Sequence, residues 1–268
     1  MIQKILTFIK KIDRVIVQKQ SQIKIYQKGK DDIVTEMDLL ISKLFVDFIK
    51  KNFEKLDYSI LDEENISQNG ILDSEYQFIL DPIDGTLPYS LNMPLYGISV
   101  GVFKKGYPLY GFIYMPTTKE LVYCDDKSVF LIEKAFSRKE KKIQLQKNSE
   151  FRTNLIFDTL FFVTMNDNLI KEKFICCSFF STVVQLLYVS TFRARGSYIS
   201  AFLWDIAGAW PILNKLGFQI KHFENLSILE NITLKHFDKN FHMKGVYIVS
   251  LPQDFKRLKK IADIRKNQ

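Results

Sequence analysis

Two aspartates, Asp81 and Asp84, close an apolar run, Phe78-Ile79-Leu80, and are followed by Gly85 and Thr86. Strand alternation would send residues three apart to opposite faces. Pro82 lies between them and cannot donate to a sheet ladder, so a break there lets both carboxylates converge. Two carboxylates a few ångströms apart repel unless a proton or a cation sits between them. Hard oxygen donors of this kind suit Mg²⁺, which prefers near-octahedral geometry at about 2.0–2.1 Å. Asp-Pro and Asp-Gly are also common turn pairs. On its own, the stretch leaves a metal centre and a plain turn equally open.

The hexapeptide Asp-Pro-Ile-Asp-Gly-Thr at 81–86 resembles the signature of the inositol monophosphatase family, Mg²⁺-dependent phosphatases of small molecules. Four more segments match in order: Asp-Ile-Val-Thr-Glu-Met-Asp at 32–38, Leu-Asp-Glu-Glu-Asn at 61–65, Gly-Phe-Ile-Tyr-Met-Pro at 111–116 and Trp-Asp-Ile-Ala-Gly at 204–208. The resemblance as a whole runs from about residue 1 to about 263. The resemblance implies an α+β fold, a layered α-β-α-β-α sandwich with two mostly antiparallel or mixed sheets. It also implies hydrolysis of a phosphate monoester by metal-activated water. One Mg²⁺ would be held by Glu63, Asp81 and the carbonyl of Ile83, and a second by Asp81, Asp84 and Asp205. A third, weakly bound Mg²⁺ occurs near Glu63 in some members. Glu63 and Thr86 would orient the water, and Asp38 would help to hold it from behind the metals. Asp84, Gly85, Thr86 and Asp205 would bind the substrate.

Each assignment has a plainer counterpart. Asp38 in a first helical turn is a favourable charge at the positive helix end. Three acids in a row, 62–64, often form a solvated loop. Asp62 stands where the family often has Gly. Asp205 is expected to act as an N-cap for the helix after it. Gly85 is expected because a side chain there would obstruct an approaching phosphate.

The substrate side matches less well. Phe180-Ser181-Thr182 replaces a segment that usually begins with Gly, and Tyr198 stands where several relatives have a substrate-binding Glu. Phe180 is expected to narrow the pocket or to give it an apolar wall, unless it packs with Phe179 into the core. Tyr198 is expected to remove a partner for substrate hydroxyls. Both departures point away from inositol and towards other sugar phosphates, 3′-phosphonucleotides or histidinol phosphate. A noncatalytic metal- or phosphate-binding protein with the same fold is the reading from a different class.

The whole chain suits a globular enzyme. Its 268 residues can bury a substantial core, and 47% are hydrophobic and 25% charged. The net charge of +8 would draw phosphorylated metabolites; basic and acidic residues are interspersed, and no aromatic–basic RNA module is present. A small phosphorylated metabolite is therefore the expected partner, with neither nucleic acid nor membrane, and the resemblance leaves room for a homodimer. The three cysteines include an adjacent pair, Cys176 and Cys177, which rarely bond to each other; a reducing cytoplasm is expected. No signal peptide or membrane-length apolar run is evident.

Several elements must position these residues. Residues 1–20 carry apolar side chains at helical spacing and should lie on the core. Thr35 should cap a helix running to about residue 52, with Leu39, Leu40, Leu44, Phe45, Phe48 and Ile49 on one side. A strand is expected at 58–61, and the strands expected at 96–103, 110–114, 121–124 and 129–132 should pair through short turns as antiparallel neighbours. The Lys-rich stretch 137–150 marks a boundary between an N-terminal lobe, 1–140, and a C-terminal lobe, 141–268, or else a charged edge strand. Later, a strand is expected at 160–164, helices at 181–189 and 204–216, short strands at 198–199 and 246–250, and a helix at 253–265. Pro211 should kink the second of those helices. His222, His236 and His242 are scattered and read as solvated or core residues.

Overall fold

The computed structural model describes residues 1–19, 23–28, 33–65, 73–147 and 149–264; Asp32 and Arg265, included in two of the segments above, lie outside them. The first half runs α1 (Ile2–Lys19), β1 (Ile25–Gln27), β2 (Ile33–Thr35), α2 (Glu36–Phe53), β3 (Tyr58–Asp62), β4 (Tyr76–Asp84), α3 (Thr86–Ser90), β5 (Gly97–Lys104), β6 (Tyr107–Met115), β7 (Glu120–Cys124), β8 (Val129–Glu133) and β9 (Lys141–Leu145). The second half runs β10 (Leu155–Asp158), β11 (Val163–Met165), α4 (Asn168–Lys171), β12 (Ile175–Cys177), α5 (Thr182–Ser190), β13 (Gly196–Ile199), α6 (Leu203–Ala207), α7 (Ala209–Leu216), β14 (Gln219–His222), β15 (Tyr247–Ser250), α8 (Phe255–Ile261) and β16 (Ala262–Ile264).

Strands β3 to β9 form one sheet in sequence order, with β3 and β4 parallel and every later pair antiparallel. The second sheet has the order β12-β10-β13-β15-β14 and is mixed. The pleat assigns each strand's side chains to opposite layers. On β4, Phe78 and Leu80 pack against Ile5, Phe8, Met37, Ile41 and Phe45 of α1 and α2, whereas Ile79 turns towards the middle layer. On β13, Ile199 faces that middle layer, and Tyr198 faces α8 with Leu258 and Ile261. Helices α5, α6 and α7 fill the space between the sheets, around Leu186, Ile206 and Trp210. The expected α-β-α-β-α order is therefore present. Residues 141–145 form the edge strand β9, with Lys141, Lys142 and Gln144 exposed. Among the described residues, no helix is long and apolar enough to cross a membrane.

Local chemistry explains several element ends. Thr35 caps α2: its hydroxyl accepts from the Met37 N–H, and Asp38 accepts from the Thr35 N–H at 2.8 Å. Leu39 is exposed rather than on the buried side of α2, whose buried stripe follows Met37, Ile41, Phe45 and Ile49. Three expectations need correction. The run at 160–164 is not one strand: β10 ends at Asp158, a 3₁₀ turn follows, and β11 pairs with β16 in a separate ribbon. The last helix stops at Ile261 because residues 262–264 are taken by that ribbon. The 204–216 helix is two helices divided at Gly208, and Pro211 causes no kink because it lies in the first turn of α7, where its missing N–H has no partner to lose.

The middle layer lies unusually close to the large sheet. A Cβ on Gly101 would stand 2.6 Å from the Ala207 carbonyl oxygen, and one on Gly111 would overlap the Gly208 carbonyl. The Ser99 hydroxyl donates to the Trp204 carbonyl at 2.8 Å and accepts from the Gly208 N–H at 2.9 Å. Backbone is thus laid on backbone, with one serine stitching the layers.

Gly208→Ala tests this contact. Gly208 has φ −72° and ψ −35°, so the backbone accepts alanine. Elsewhere such a change stabilises by about 0.4–1 kcal/mol. Here the new Cβ would overlap the Phe112 carbonyl and stand 2.9 Å from Ser99 Oγ. The expected result is a loss of about 1–3 kcal/mol in urea unfolding. Unchanged or greater stability would show that the layers are not in such contact.

Candidate metal centre

The two aspartates of β4 converge through a β-bulge. Asp81 is opposite Ser99 and Asp84 opposite Gly97, so β4 takes three steps where β5 takes two. One extra residue reverses the alternation and brings both carboxylates to the same side. The expected break at Pro82 is therefore a bulge within a continuing strand, where a residue without an N–H does no harm.

Asp205 arrives from the other side of the seam. It is the third residue of α6, and its carboxylate accepts from the Phe202 N–H at 2.9 Å. It thus caps from within the first turn, whereas the sequence reading expected it to be the N-cap residue itself. The Ser99 bonds to Trp204 and Gly208 fix the turn that carries it. As a result Asp81, Asp84 and Asp205 each present a carboxylate oxygen, all within 4.8 Å of one another.

The other expected residues surround this triad. Glu63 lies outside the 4.8 Å set, yet its charge acts on both Asp81 and Asp205. Its carboxylate is 3.4 Å from the Lys28 ammonium, which also reaches Glu64 at 2.9 Å. Asp62 serves structure instead: fully buried, it accepts from Ser42, from the Glu64 N–H and from Asn65, tying β3 to α2. Asp38 is fully buried at the start of α2, with Oδ1 unpartnered. The Ile83 side chain is in the core, and its carbonyl accepts from the Thr86 hydroxyl at 3.1 Å. Gly85 has φ +89°, and a Cβ there would meet the Leu95 carbonyl at 2.9 Å and Ser181 Cβ at 3.1 Å. Backbone conformation and packing against the start of α5 therefore already require glycine here.

Two contacts escaped the sequence reading. The Ser181 hydroxyl and the Val183 N–H, at 2.6 Å, both donate to Asp84, so the N-terminus of α5 grips a carboxylate of the triad. A Ser before an apolar run is a cap signal, but nothing in it names the partner. Lys28 carried no signal either.

Phe180 and Tyr198 differ in outcome. Phe180 has φ +54°, the left-handed region that costs glycine nothing, which accounts for the Gly usual at this position. Its ring is 44% exposed, so it does not join Phe179 in the core. Tyr198 is fully buried, and its hydroxyl donates to the Leu258 carbonyl at 2.7 Å. Alternation on β13 turns it under α8, so it cannot border the site as expected.

Burial and mutual repulsion dominate the electrostatics. Burial first, then Glu63, Asp84 and Asp205, hold the Asp81 carboxyl well above its usual range. Asp205 is raised well above its range by burial, then by Asp84 and Glu63. Burial pushes Asp84 up to about 6 against the Ser181 and Val183 donors, and Asp38 up to about 7 against those of Thr35. Glu63 is raised to about 8 by burial, opposed by Lys28. One Asp81 oxygen is buried with no hydrogen-bond partner. Converging acids with an orphaned oxygen form a hard, anionic donor set, and this fits a divalent cation such as Mg²⁺.

Comparisons with known proteins give one family. The family model described as the inositol monophosphatase family matches residues 2–262. A Salmonella typhimurium protein named Nus factor SuhB is 25% identical over 244 residues, covering 89% of this chain and 85% of that protein. A Thermotoga maritima fructose-1,6-bisphosphatase/inositol-1-monophosphatase is 34% identical over 100 residues, 37% of each chain. Among solved structures, an IMPase/NADP phosphatase complexed with NADP and Ca²⁺ superimposes with TM-score 0.74 at 18% identity, covering 96% of this chain and 93% of that one. A Thermotoga maritima IMPase gives 0.71 at 20% identity, covering 95% and 93%.

Because each of these acids titrates above its ordinary value, the fold keeps protons that the unfolded chain has lost. That stabilisation is complete below the ordinary 3.8 of Asp and 4.5 of Glu. It disappears as pH rises through about 6 for Asp84, about 7 for Asp38 and about 8 for Glu63. The metal-free protein should therefore melt at progressively lower temperature between about pH 5 and 8. Mg²⁺ binds the ionised acids and should raise Tm most at the alkaline end. Thermal scans with EDTA or Mg²⁺ measure both trends; a metal-free Tm that climbs with pH would show that the acids are not held protonated.

Proposed function

The chain belongs to the inositol monophosphatase family, and on that premise we propose that it is a Mg²⁺-dependent phosphatase that hydrolyses a small phosphate monoester with water as nucleophile. The observation that carries this reading is the convergence of Asp81, Asp84 and Asp205 from two separate layers. Glu63, Asp81 and the Ile83 carbonyl would hold one Mg²⁺, and Asp81, Asp84 and Asp205 a second. Bound there, Mg²⁺ would supply Lewis acidity and bring the pKa of water towards neutrality.

The chain's own groups would do the rest. Thr86, whose hydroxyl lies 3.1 Å from the Ile83 carbonyl, and Glu63 would orient the water for in-line attack. Asp38, buried behind them, would hold that arrangement in place. The backbone N–H groups of Gly85 and Thr86 would donate to phosphate oxygens. Asp84 and Asp205 would accept from the substrate hydroxyl beside the phosphate. The three cysteines are free thiols, which suits a cytoplasmic setting.

The test is Mg²⁺-dependent phosphate release from a panel of esters, including inositol 1-phosphate, glycerol 2-phosphate and sugar phosphates. Asp84→Asn should lower kcat/KM by at least about 100-fold, the scale of losing one preorganised charge contact. It should also remove most of the Mg²⁺-induced rise in Tm. An active Asp84→Asn enzyme would show the ligand assignment to be wrong. No release from any ester would leave a phosphate- or metal-binding protein as the better reading.

A further inference from the structure

The outer helical layer carries a trough that the metal centre does not use. It runs between α1 and α2 and has a volume of about 440 Å³. Its walls are the residues at 4, 7, 8 and 11 of α1 and at 44, 47, 48 and 51 of α2, with Asn52 at one end. Both sets follow the spacing i, i+3, i+4, i+7, the stripe by which one helix meets another. Each helix already turns a different stripe to the core: Ile5, Ile9 and Ile12 on α1, and Ile41, Phe45 and Ile49 on α2. The two helices therefore present a second seam, two turns long, to the outside.

Its floor and rim differ in chemistry. Phe8 and Phe48 stack across the floor with centroids 5.0 Å apart, beside the half-buried Leu44. Lys4, Lys11 and Lys51 stand at the rim. The Lys4 ammonium is 2.9 Å from the Asn52 carbonyl, whereas Lys11 and Lys51 are exposed and have no ion-pair partner among the described residues. The face around the trough has the same sign. α1 exposes Lys4, Lys10, Lys11 and Arg14, and α2 exposes Lys43, Lys50 and Lys51; among the described residues Asp47 is the one acidic side chain that these helices expose.

We propose that this trough is the docking site for an acidic amphipathic helix of a protein partner. An apolar ridge on that helix would lie over Phe8, Leu44 and Phe48, and its flanking carboxylates would meet Lys4, Lys11 and Lys51. Charge complementarity selects this occupant. The same face of a second copy would bring like charges together. A flat bilayer would meet the rim lysines but leave the floor uncovered.

The test uses the full chain and a labelled synthetic helix of about 16 residues, with leucine along one i, i+3, i+4, i+7 stripe and glutamate on both flanks. Fluorescence anisotropy should show saturable binding, at least about 10-fold tighter than that of the same helix with lysine for glutamate. Serine in place of the leucines should abolish it. Lys11→Glu and Lys51→Glu alter exposed side chains, so both variants should fold, as Tm will report, and each should weaken binding about 10-fold. Lys10→Glu and Lys50→Glu change the same charge outside the trough and should cost less than about 3-fold. No binding of the acidic helix, equal binding of its lysine counterpart, or four variants that weaken it alike would each overturn the docking site. Retention of the chain by vesicles of phosphatidylcholine and phosphatidylglycerol, without binding of the peptide, would assign the face to a membrane instead.

Discussion

The contact between the middle helices and the large sheet sets the geometry of everything else. Side chains of ordinary size would hold helix and sheet near 10 Å apart. Here Gly101, Gly111 and Gly208 remove the spacer atoms, so α6 and α7 rest on the backbone of β5 and β6. Ser99 then satisfies the Trp204 carbonyl and the Gly208 N–H at the same place. Ser99 is also the register partner of Asp81. One residue therefore fixes where a carboxylate from α6 stands relative to a carboxylate from β4, across more than a hundred residues of sequence.

That placement is electrostatically unfavourable by itself. Three aspartates share a small volume, with Glu63 near enough to raise the proton affinity of Asp81 and Asp205 further. The fold withstands this repulsion with local donors at the periphery. Thr35 holds Asp38, Ser181 and Val183 hold Asp84, the Phe202 N–H holds Asp205, and Lys28 faces Glu63. Asp81, at the centre, keeps an oxygen with no partner. The gradient from satisfied rim to unsatisfied centre marks where a cation would be strongest.

Much of this was legible in the sequence because it follows local rules. The Thr35 cap, the alternating strands of the first sheet and the acids at 63, 81, 84 and 205 all carry short-range signals. What stayed hidden depends on partners distant in sequence. Nothing local says that Ser99 bonds Trp204, or that Ser181 finds Asp84. Tyr198 was misplaced for a similar reason: matching it to the relatives' Glu gives a position but not a face, and on β13 the face is decided by pairing with β15. The division of 204–216 at Gly208 was missed because Pro looked like the stronger helix breaker, whereas the glycine is where the backbones touch.

The bulge in β4 separates counting along the chain from counting across the sheet. Asp81 and Asp84 are an odd number of residues apart, yet they share a face only because β5 spans the same interval in an even number of steps. Inserting one residue into β5 opposite them would equalise the steps and restore regular pairing, a change the sheet itself would tolerate, and would turn one carboxylate away from the other. The length of this interval is thus as much a part of the site as the identity of its acids. A lineage could alter Phe180 or the surface charge by single substitutions and keep the acids together, while a single in-frame insertion in β5 here would disperse them and leave a well-paired strand behind.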